Sequence, residues 1–262
     1  MNYSFKKVCV FDIDGVLYQN NIYNKLDSEI YKKYNILFCT GRGMKRANDF
    51  ISKVSISNPE YIIINNGATI LKNNNKIYEK CIEKRKIKRA LKCIKKIEDT
   101  LFINVITANK NGYQYFDPNN CINDYNYYEY SEKFDNFENF INYCISNDIV
   151  KLTIVLETTN TKVLNILTKL GFAKSDENMF CLINTKINKL TAIKKIAKIE
   201  NYKLKDIIYF GNDYNDYCVF KNRIITSVYV YDEIDKVLKA KANYIVNFYK
   251  LKKFLDEEVD NI

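Results

Sequence analysis

The residues Val8–Phe11 form an apolar run that ends abruptly in Asp12-Ile13-Asp14-Gly15. Bulky apolar residues without polar alternation are typical of a strand covered on both faces, as in a parallel sheet. Ligands in open α/β sheets bind beyond the carboxyl ends of such strands, so Asp12 and Asp14 are candidates for chemistry. An Asp-Gly turn is the simpler alternative. Two adjacent carboxylates repel each other unless a cation or a shared proton offsets their charge, and a divalent metal ion is the simplest partner.

The composition excludes several classes of protein. The 262 residues contain no histidine, which removes Ser-His-Asp triads, Cys-His pairs and the common zinc sites. The eight cysteines are scattered without a C-x-x-C pair, and this pattern predicts reduced thiols in a cytoplasmic protein. The sequence has no run of about 18 apolar residues, so we expect no membrane span. Because its start leads directly into the first strand, we also expect no signal peptide.

The net charge of +10 raises the question of a nucleic-acid partner. The lysines are dispersed over the chain, and the densest stretch, Lys80 to Lys96, alternates with apolar residues at helical spacing. This pattern is typical of a solvated helix surface, so we expect no nucleic-acid partner. A basic surface also favours a phosphorylated, anionic small substrate.

Alternating strand and helix patterns predict an α/β protein with a Rossmann-like, doubly wound parallel sheet. The predicted strands are Val8–Phe11, Ile36–Cys39, Tyr61–Ile64, Ile207–Phe210 and Ile224–Val230, and the predicted helices are Lys45–Val54, Leu190–Ile199 and Tyr231–Leu238.

The middle of the chain has a different, α+β character. It predicts helices near 82–96, 134–146 and 161–170, strands near 101–107, 112–116, 149–157 and 178–183, and a Tyr/Asn-rich surface loop at 119–130. We therefore expect a discontinuous core, 1–82 and 184–262, interrupted by a cap domain, 83–183. Tyr113, Tyr115 and Phe116 either face the cleft or pack in the cap sheet, and packing is the role expected of aromatic strand residues.

Two further strand ends carry polar residues. Thr40-Gly41-Arg42-Gly43 suits phosphate binding by a hydroxyl and backbone N–H groups near a helix start, with a plain Thr-Gly turn as the alternative. Its Gly-x-Gly is also similar to a dinucleotide fingerprint, but Arg46 occupies the third glycine position. The second strand end, Gly211-Asn212-Asp213-Tyr214-Asn215-Asp216, is acidic, and a simple loop is its alternative.

One lysine before a predicted helix also stands out. Asn188 is a candidate helix cap, and Lys189 in the first turn opposes the helix dipole, which points to another partner for its charge. Lys186 is the alternative.

Four segments follow one another along the chain: Asp12-Ile13-Asp14-Gly15-Val16-Leu17, Thr40-Gly41-Arg42, Lys189 and Gly211-x-x-x-Asn215-Asp216. In this order they resemble the four motifs of the haloacid dehalogenase superfamily of phosphatases. The cap between the second and third motifs, and Asn65-Asn66-Gly67-Ala68 after a strand, resemble its Cof-type subfamily (type IIB, with a C2B-type cap). The resemblance covers essentially the whole chain. It departs at Asn212, where the family usually has an aspartate.

The resemblance implies a role for each motif. Asp12 would be the nucleophile and Asp14 the general acid and base. The phosphoryl group or substrate would be bound by Ile13, Thr40, Gly41, Arg42, Lys189 and Asn215. A magnesium ion would be held by Asp12, the Asp14 carbonyl and one or more of Asn212, Asp213 and Asp216.

The expected function is hydrolysis of a small phosphorylated metabolite, such as a sugar phosphate, with Mg²⁺ and through an aspartyl-phosphate. The cap would select the substrate. A phosphosugar mutase of the same fold is one alternative. A non-catalytic protein that binds a phosphorylated ligand or nucleic acid is the other, because Asn212 and the positive charge are compatible with it.

Overall fold

The computed structural model describes residues 6–54, 59–108, 110, 112–118, 130–176 and 178–262. The chain divides into two compact units, one of Met1–Arg42, Ala47–Ile77 and Asn188–Ile262 and one of Gly43–Arg46 and Tyr78–Ile187. We predicted divisions at 82/83 and 183/184, whereas the main divisions between the units fall at 77/78 and 187/188.

The chain first builds half of the larger sheet. Its apolar runs form buried strands because both faces of the sheet are covered. The elements are β1 (Val8–Phe11), the hairpin β2 (Tyr18–Gln19) and β3 (Ile22–Tyr23), α1 (Ser28–Lys33), β4 (Asn35–Cys39), α2 (Met44–Val54), β5 (Tyr61–Ile64), β6 (Thr69–Lys72) and β7 (Asn75–Glu79).

The second unit is an α+β domain with its own core. Its elements are α3 (Lys84–Ile94), β8 (Thr100–Thr107), β9 (Tyr113–Phe116), β10 (Tyr130–Phe134), α4 (Phe137–Ser146), β11 (Ile149–Leu156), α5 (Thr161–Leu170), β12 (Ala173–Asp176) and β13 (Met179–Leu182). The sheet order is β10-β9-β8-β11-β13-β12. Apolar residues of all three helices pack against β8 and β11.

The chain then returns to the first unit. It adds α6 (Lys189–Ile199), β14 (Ile207–Gly211), α7 (Tyr217–Phe220), β15 (Thr226–Tyr231), α8 (Lys236–Lys239), β16 (Tyr244–Asn247) and α9 (Leu251–Glu257). The complete sheet has the order β16-β15-β14-β1-β4-β5-β6-β7. All pairs from β16 to β5 are parallel, and β6 is antiparallel to β5. This confirms the predicted α/β fold, because the strand order reverses on either side of β1.

Two predicted helices differ from the structure. The helix predicted at Tyr231–Leu238 is wrong: Tyr231 pairs with Asn247 in the sheet, and Asp235 caps α8, which begins only at the next residue. The helix predicted near 134–146 begins later, because Phe134 ends β10 and Asn136 caps α4.

The packing of the second unit agrees with part of the sequence prediction. Tyr113 is buried, and Phe116 packs against the apolar core with Phe137 and Phe140, as expected for aromatic strand residues. The predicted loop at 119–130 lies outside the described residues up to position 129. Seven cysteines in the described ranges are free thiols. None of the helices in that part of the chain has the length and apolar character needed to span a bilayer.

Candidate active site

Three neighbouring strand ends place polar residues at one edge of the larger sheet. Asp12 follows β1, Thr40 follows β4 and Asn212 follows β14. Since β1 lies between β4 and β14 and all three are parallel, their carboxyl ends meet where the strand order reverses. Ligands of doubly wound sheets bind at such a switch point.

A helix start brings a lysine to the same edge. Asn188 caps α6: its Oδ1 accepts a hydrogen bond from Thr191 N at 2.9 Å, and Thr191 Oγ1 accepts one from Asn188 N at 3.0 Å. The predicted cap is thus confirmed. Lys189 is 1% exposed, whereas the alternative, Lys186, is exposed to solvent.

The Lys189 ammonium joins the first and fourth motifs. Its three N–H donors meet three acceptors, Asp12 Oδ2 at 2.7 Å, Asp216 Oδ1 at 2.6 Å and Asn215 Oδ1 at 3.2 Å. The other oxygen of Asp12, Oδ1, accepts a hydrogen bond from Ile13 N at 2.7 Å. The structure therefore brings three predicted site residues, Asp12, Asn215 and Asp216, together around Lys189, with Ile13 bonded to Asp12.

Burial and charge act on these groups in opposite directions. Burial raises the pKa of Asp12, the Lys189 ammonium opposes the rise and the Asp216 carboxylate adds to it, with a net value of about 8. Burial also works against the charged form of Lys189, but the Asp12 and Asp216 carboxylates outweigh it and raise the lysine's pKa. When fully ionised, the three groups carry one net negative charge, which a bound cation would offset.

The Asp216 carboxylate is saturated with donors. Oδ1 accepts from Lys189 and from the hydroxyl of Tyr209 at 2.5 Å, and Oδ2 accepts from the backbone N–H groups of Asn212 at 2.8 Å and Asp213 at 3.1 Å. Tyr209 is not among the predicted site residues, and it lies in the apolar run of β14. The available signal was its hydroxyl, because a buried tyrosine O–H needs a partner.

Asp14 is engaged by an arginine. Arg42 Nε donates to Asp14 Oδ2 at 2.9 Å and Arg42 Nη2 donates to Oδ1 at 2.5 Å. The guanidinium carbon lies 4.7 Å from the ring centroid of Phe50 and 5.8 Å from that of Tyr18. The arginine predicted to bind phosphate or substrate thus forms a bidentate pair with the predicted general acid.

The second motif is shaped by the turn after β5. Thr40 is buried, its Oγ1 accepts a hydrogen bond from Arg42 N at 3.2 Å and its carbonyl accepts one from Asn66 N at 3.0 Å. A Cβ at position 41 would lie 2.9 Å from Asn66 Oδ1. Glycine at position 41 therefore leaves room for the Asn66 amide, whose buried oxygen has no hydrogen-bond partner within the described ranges.

Asn212 is held close to the first motif. Gly15 has a φ of +72°, and a Cβ there would lie 1.8 Å from Asn212 Nδ2. The Oδ1 atom of Asn212 is buried and finds no hydrogen-bond partner in the part of the chain that the structure describes. A buried amide oxygen without a donor is costly in an apolar setting but is a good ligand for a hard cation.

The remaining acidic residue of the fourth motif has a structural partner. Asp213 precedes a 3-10 helix, Tyr214–Asp216, and its Oδ1 accepts a hydrogen bond from Tyr214 N at 2.6 Å. No group of three or more His, Cys, Asp or Glu side chains suited to a metal occurs among the described residues. A cation here would instead bind mixed oxygen ligands, of which the Asp12 carboxylate and the Asn212 amide are the side chains that fit.

The buried Asp12–Lys189 pair thus lies at the switch point of a doubly wound sheet, where proteins of this architecture bind ligands. Comparison with known proteins gives the family. Residues 9–250 match the profile of the haloacid dehalogenase-like hydrolases. The chain belongs to this family, in its Cof-type group, and is a hydrolase. Phosphotransferases of this superfamily generally use Mg²⁺.

Individual relatives are distant in sequence but cover more than nine-tenths of the chain. An uncharacterised protein of Mycoplasma capricolum subsp. capricolum is 24% identical over 259 residues, 92% of this chain and 97% of the relative. A haloacid dehalogenase-like hydrolase from B. subtilis has a similar structure, with a TM-score of 0.79, 15% identity and coverage of 97% and 100% of the two chains. A sugar phosphatase of haloacid dehalogenase subclass IIB has a TM-score of 0.73, 17% identity and coverage of 96% and 97%.

Proposed function

We propose that this protein is a Mg²⁺-dependent phosphomonoesterase that acts on a small organic phosphate through an aspartyl-phosphate. The observation that carries the proposal is the buried Asp12–Lys189 pair at the end of β1, with the Asn215 amide beside it. A lysine held there can neutralise charge on a transferring phosphoryl group. The similarity to a subclass IIB sugar phosphatase supports a sugar phosphate as the substrate.

In the first step, an Asp12 carboxylate oxygen attacks phosphorus and the bond from phosphorus to the leaving oxygen breaks. Asp14 gives its proton to that oxygen. In the second step, a water oxygen attacks phosphorus, its proton passes to Asp14, and the Asp12 carboxylate leaves with the electron pair of its bond to phosphorus. Lys189, Asn215 and the Thr40 hydroxyl stabilise the phosphoryl oxygens in both steps.

The site fits Mg²⁺ as its cofactor. Asp12, the backbone carbonyl of Asp14 and Asn212 would hold the ion, since Asn212 Oδ1 is a buried oxygen without a hydrogen-bond partner in the described ranges and its residue follows β14 at the same sheet edge as Asp12. When bound, the ion neutralises negative charge between nucleophile and substrate. We assign Asp216 to the orientation of Lys189, because its two oxygens already accept four hydrogen bonds. Asp213 caps the following turn and is a weaker candidate ligand.

We also propose that the inserted segment, 83–183, is the cap that selects the substrate. The support is that it forms most of a separate unit with its own apolar core, so it can vary without disturbing the catalytic sheet.

The test is phosphate release from a panel of phosphorylated metabolites, with Mg²⁺ and with excess chelator. We expect release with Mg²⁺ only, and a loss of at least about 10²-fold in Asp12→Asn. Asp49→Asn, an exposed aspartate of α2, is the matched control and should keep full activity. Conversion of one sugar phosphate into its isomer, with no free phosphate, would identify a mutase instead. No turnover of any substrate would identify a non-catalytic binding protein.

A further inference from the structure

Arg42 has a partner that an arginine free to bind phosphate would not be expected to have. Its guanidinium makes two hydrogen bonds to the two oxygens of Asp14, in the fork-to-fork geometry of a strong arginine–carboxylate pair. The Arg42 side chain is 14% exposed, whereas that of Asp14 is 57% exposed. Packing thus holds the Arg42 side chain in place, whereas the exposed Asp14 side chain depends on Arg42 for its orientation.

Arg42 is held from several sides. Its backbone N–H donates to Thr40 Oγ1 at 3.2 Å, and its carbonyl accepts from Asn65 N at 3.0 Å. The rings of Phe50 and Tyr18 flank the guanidinium, and such contacts stabilise an arginine cation. The side chain is therefore pre-organised, which is the property required of a residue that positions another.

The pair also fixes the orientation of Asp14. A guanidinium has only donors, and its two hydrogen bonds hold both oxygens of the Asp14 carboxyl group. A carboxyl group held in one orientation is suited to accept a proton from a water molecule at a fixed position.

We propose that Arg42 is a positioning residue that holds Asp14 as the base for hydrolysis of the aspartyl-phosphate, an inference that rests on the proposed function. In this step, water oxygen bonds to phosphorus, the water proton passes to Asp14, and the bond between phosphorus and the Asp12 oxygen breaks. Arg42 makes no bond to the phosphoryl group in this assignment.

The test uses p-nitrophenyl phosphate, whose leaving group needs no proton, so that formation of the aspartyl-phosphate does not depend on Asp14. In Arg42→Gln we expect kcat to fall about tenfold and KM to fall with it, so that kcat/KM stays within about threefold of the wild type. Because the aspartyl-phosphate then accumulates, a burst of nitrophenolate equal to the enzyme concentration should precede the steady state.

Three further variants sharpen the test. Asp14→Asn should show the same pattern, and adding Arg42→Gln to it should cost nothing more, because Arg42 then has no base to position. Arg42→Lys keeps the charge but loses the fork, so it should recover only part of the lost kcat. Lys45→Gln removes an exposed charge from α2 and should match the wild type.

The outcomes separate the possibilities. If Arg42→Gln raises KM, lowers kcat/KM more than tenfold and shows no burst, Arg42 binds the phosphate group of the substrate. The positioning role is then overturned, while the proposed function stands. The same holds if inorganic phosphate, titrated in the presence of Mg²⁺, binds Arg42→Gln more than tenfold more weakly than the wild type. A wild type that releases no phosphate from any substrate overturns the proposed function, and this inference with it.

Discussion

Lys189 and Asp12, 177 positions apart in the sequence, form an ion pair from which solvent is excluded. The lysine side chain is 0% exposed and that of the aspartate 4%. A buried pair of this kind contributes little net stability, but removal of one partner leaves an uncompensated charge. The pair is therefore better explained by the chemistry of the site than by the stability of the fold.

Lys189→Gln should disable the site and destabilise the protein. Without the ammonium, Asp12 and Asp216 face each other buried and unpaired, so we expect unfolding free energy to fall by about 3 kcal/mol. Phosphatase kcat/KM should fall by about 10²-fold or more. Lys186→Gln is the matched control: its side chain is exposed, and both quantities should stay unchanged in denaturant titrations and initial-rate assays. Equal effects of the two substitutions would contradict the assignment.

Gly15→Ala should separate backbone strain from damage to the metal site. The φ of +72° costs a non-glycine residue about 1–2 kcal/mol, and the new Cβ would collide with the Asn212 amide. Gly171→Ala is matched in backbone strain, with a φ of +85°, but there the Cβ meets the flexible end of Lys86 and, at an ordinary contact distance of 3.7 Å, Thr185 Cγ2. Calorimetry should show a loss of stability in both variants, larger in Gly15→Ala because of the collision, with weaker Mg²⁺ binding only in Gly15→Ala. Unchanged Mg²⁺ affinity in that variant would argue against Asn212 as a ligand.

Tyr209→Phe should loosen the support of Lys189. The variant loses the hydroxyl that donates to Asp216 Oδ1, while the other three donors to that carboxylate remain. We expect a loss of about 1–2 kcal/mol in stability and a three- to tenfold fall in kcat. Tyr229→Phe also removes a buried hydroxyl, one that donates to Glu233 O, and should cost stability alone. A normal kcat in Tyr209→Phe would show that Asp216 needs no such support.

These residues also show where sequence reasoning succeeds. The strand ends at Asp12, Thr40 and Gly211 were predictable because a buried parallel strand is a continuous apolar run. The polar residues that end such a strand follow the run directly in the sequence. Lys189 was preferred to Lys186 because a lysine in the first turn of a helix opposes the helix dipole, and the structure buries Lys189 at the start of α6 and leaves Lys186 exposed.

Individual side-chain contacts could not be predicted. The bond from Tyr209 to Asp216 and the fork of Arg42 on Asp14 depend on which side chains the fold brings within 3 Å of each other. Short elements such as β16 were missed for a related reason, because β16 is fixed as a strand by its pairing with β15 rather than by a strong local pattern.

Glu200 should make the stability of the first unit depend on pH. It follows α6, the helix that starts with Lys189, and accepts hydrogen bonds from Tyr61 of β5 and from Lys72 Nζ of β6 at 2.9 Å. These bonds lower the pKa of Glu200 below 4.5. A lowered carboxyl pKa stabilises the fold above the unfolded-state value and loses that effect as pH falls through the folded-state value.

Glu200→Gln should therefore cost about 1 kcal/mol of unfolding free energy at pH 7. The difference from the wild type should shrink as pH falls below about 4.5, where the wild-type carboxyl gains its proton. Glu258→Gln, an exposed glutamate after α9, is the control and should leave the pH profile unchanged. Urea titrations between pH 7 and pH 3 measure the unfolding free energy of both proteins. A constant difference between Glu200→Gln and the wild type over this range would rule out the linkage.

Asn212→Asp should tighten the metal site by restoring a charge. The buried amide oxygen of Asn212, which we propose as a ligand, carries no formal charge, so the proposed Mg²⁺ set has one negative charge fewer than with an aspartate. We expect the Kd for Mg²⁺, measured by calorimetry without substrate, to fall roughly tenfold. Asn222→Asp is the matched control: its Oδ1 accepts from two backbone N–H groups, as an aspartate would, so it adds the same charge away from the metal site. If both variants bind Mg²⁺ like the wild type, Asn212 is not a metal ligand; if both bind it more tightly, the general field of the protein, and not a direct bond, sets the affinity.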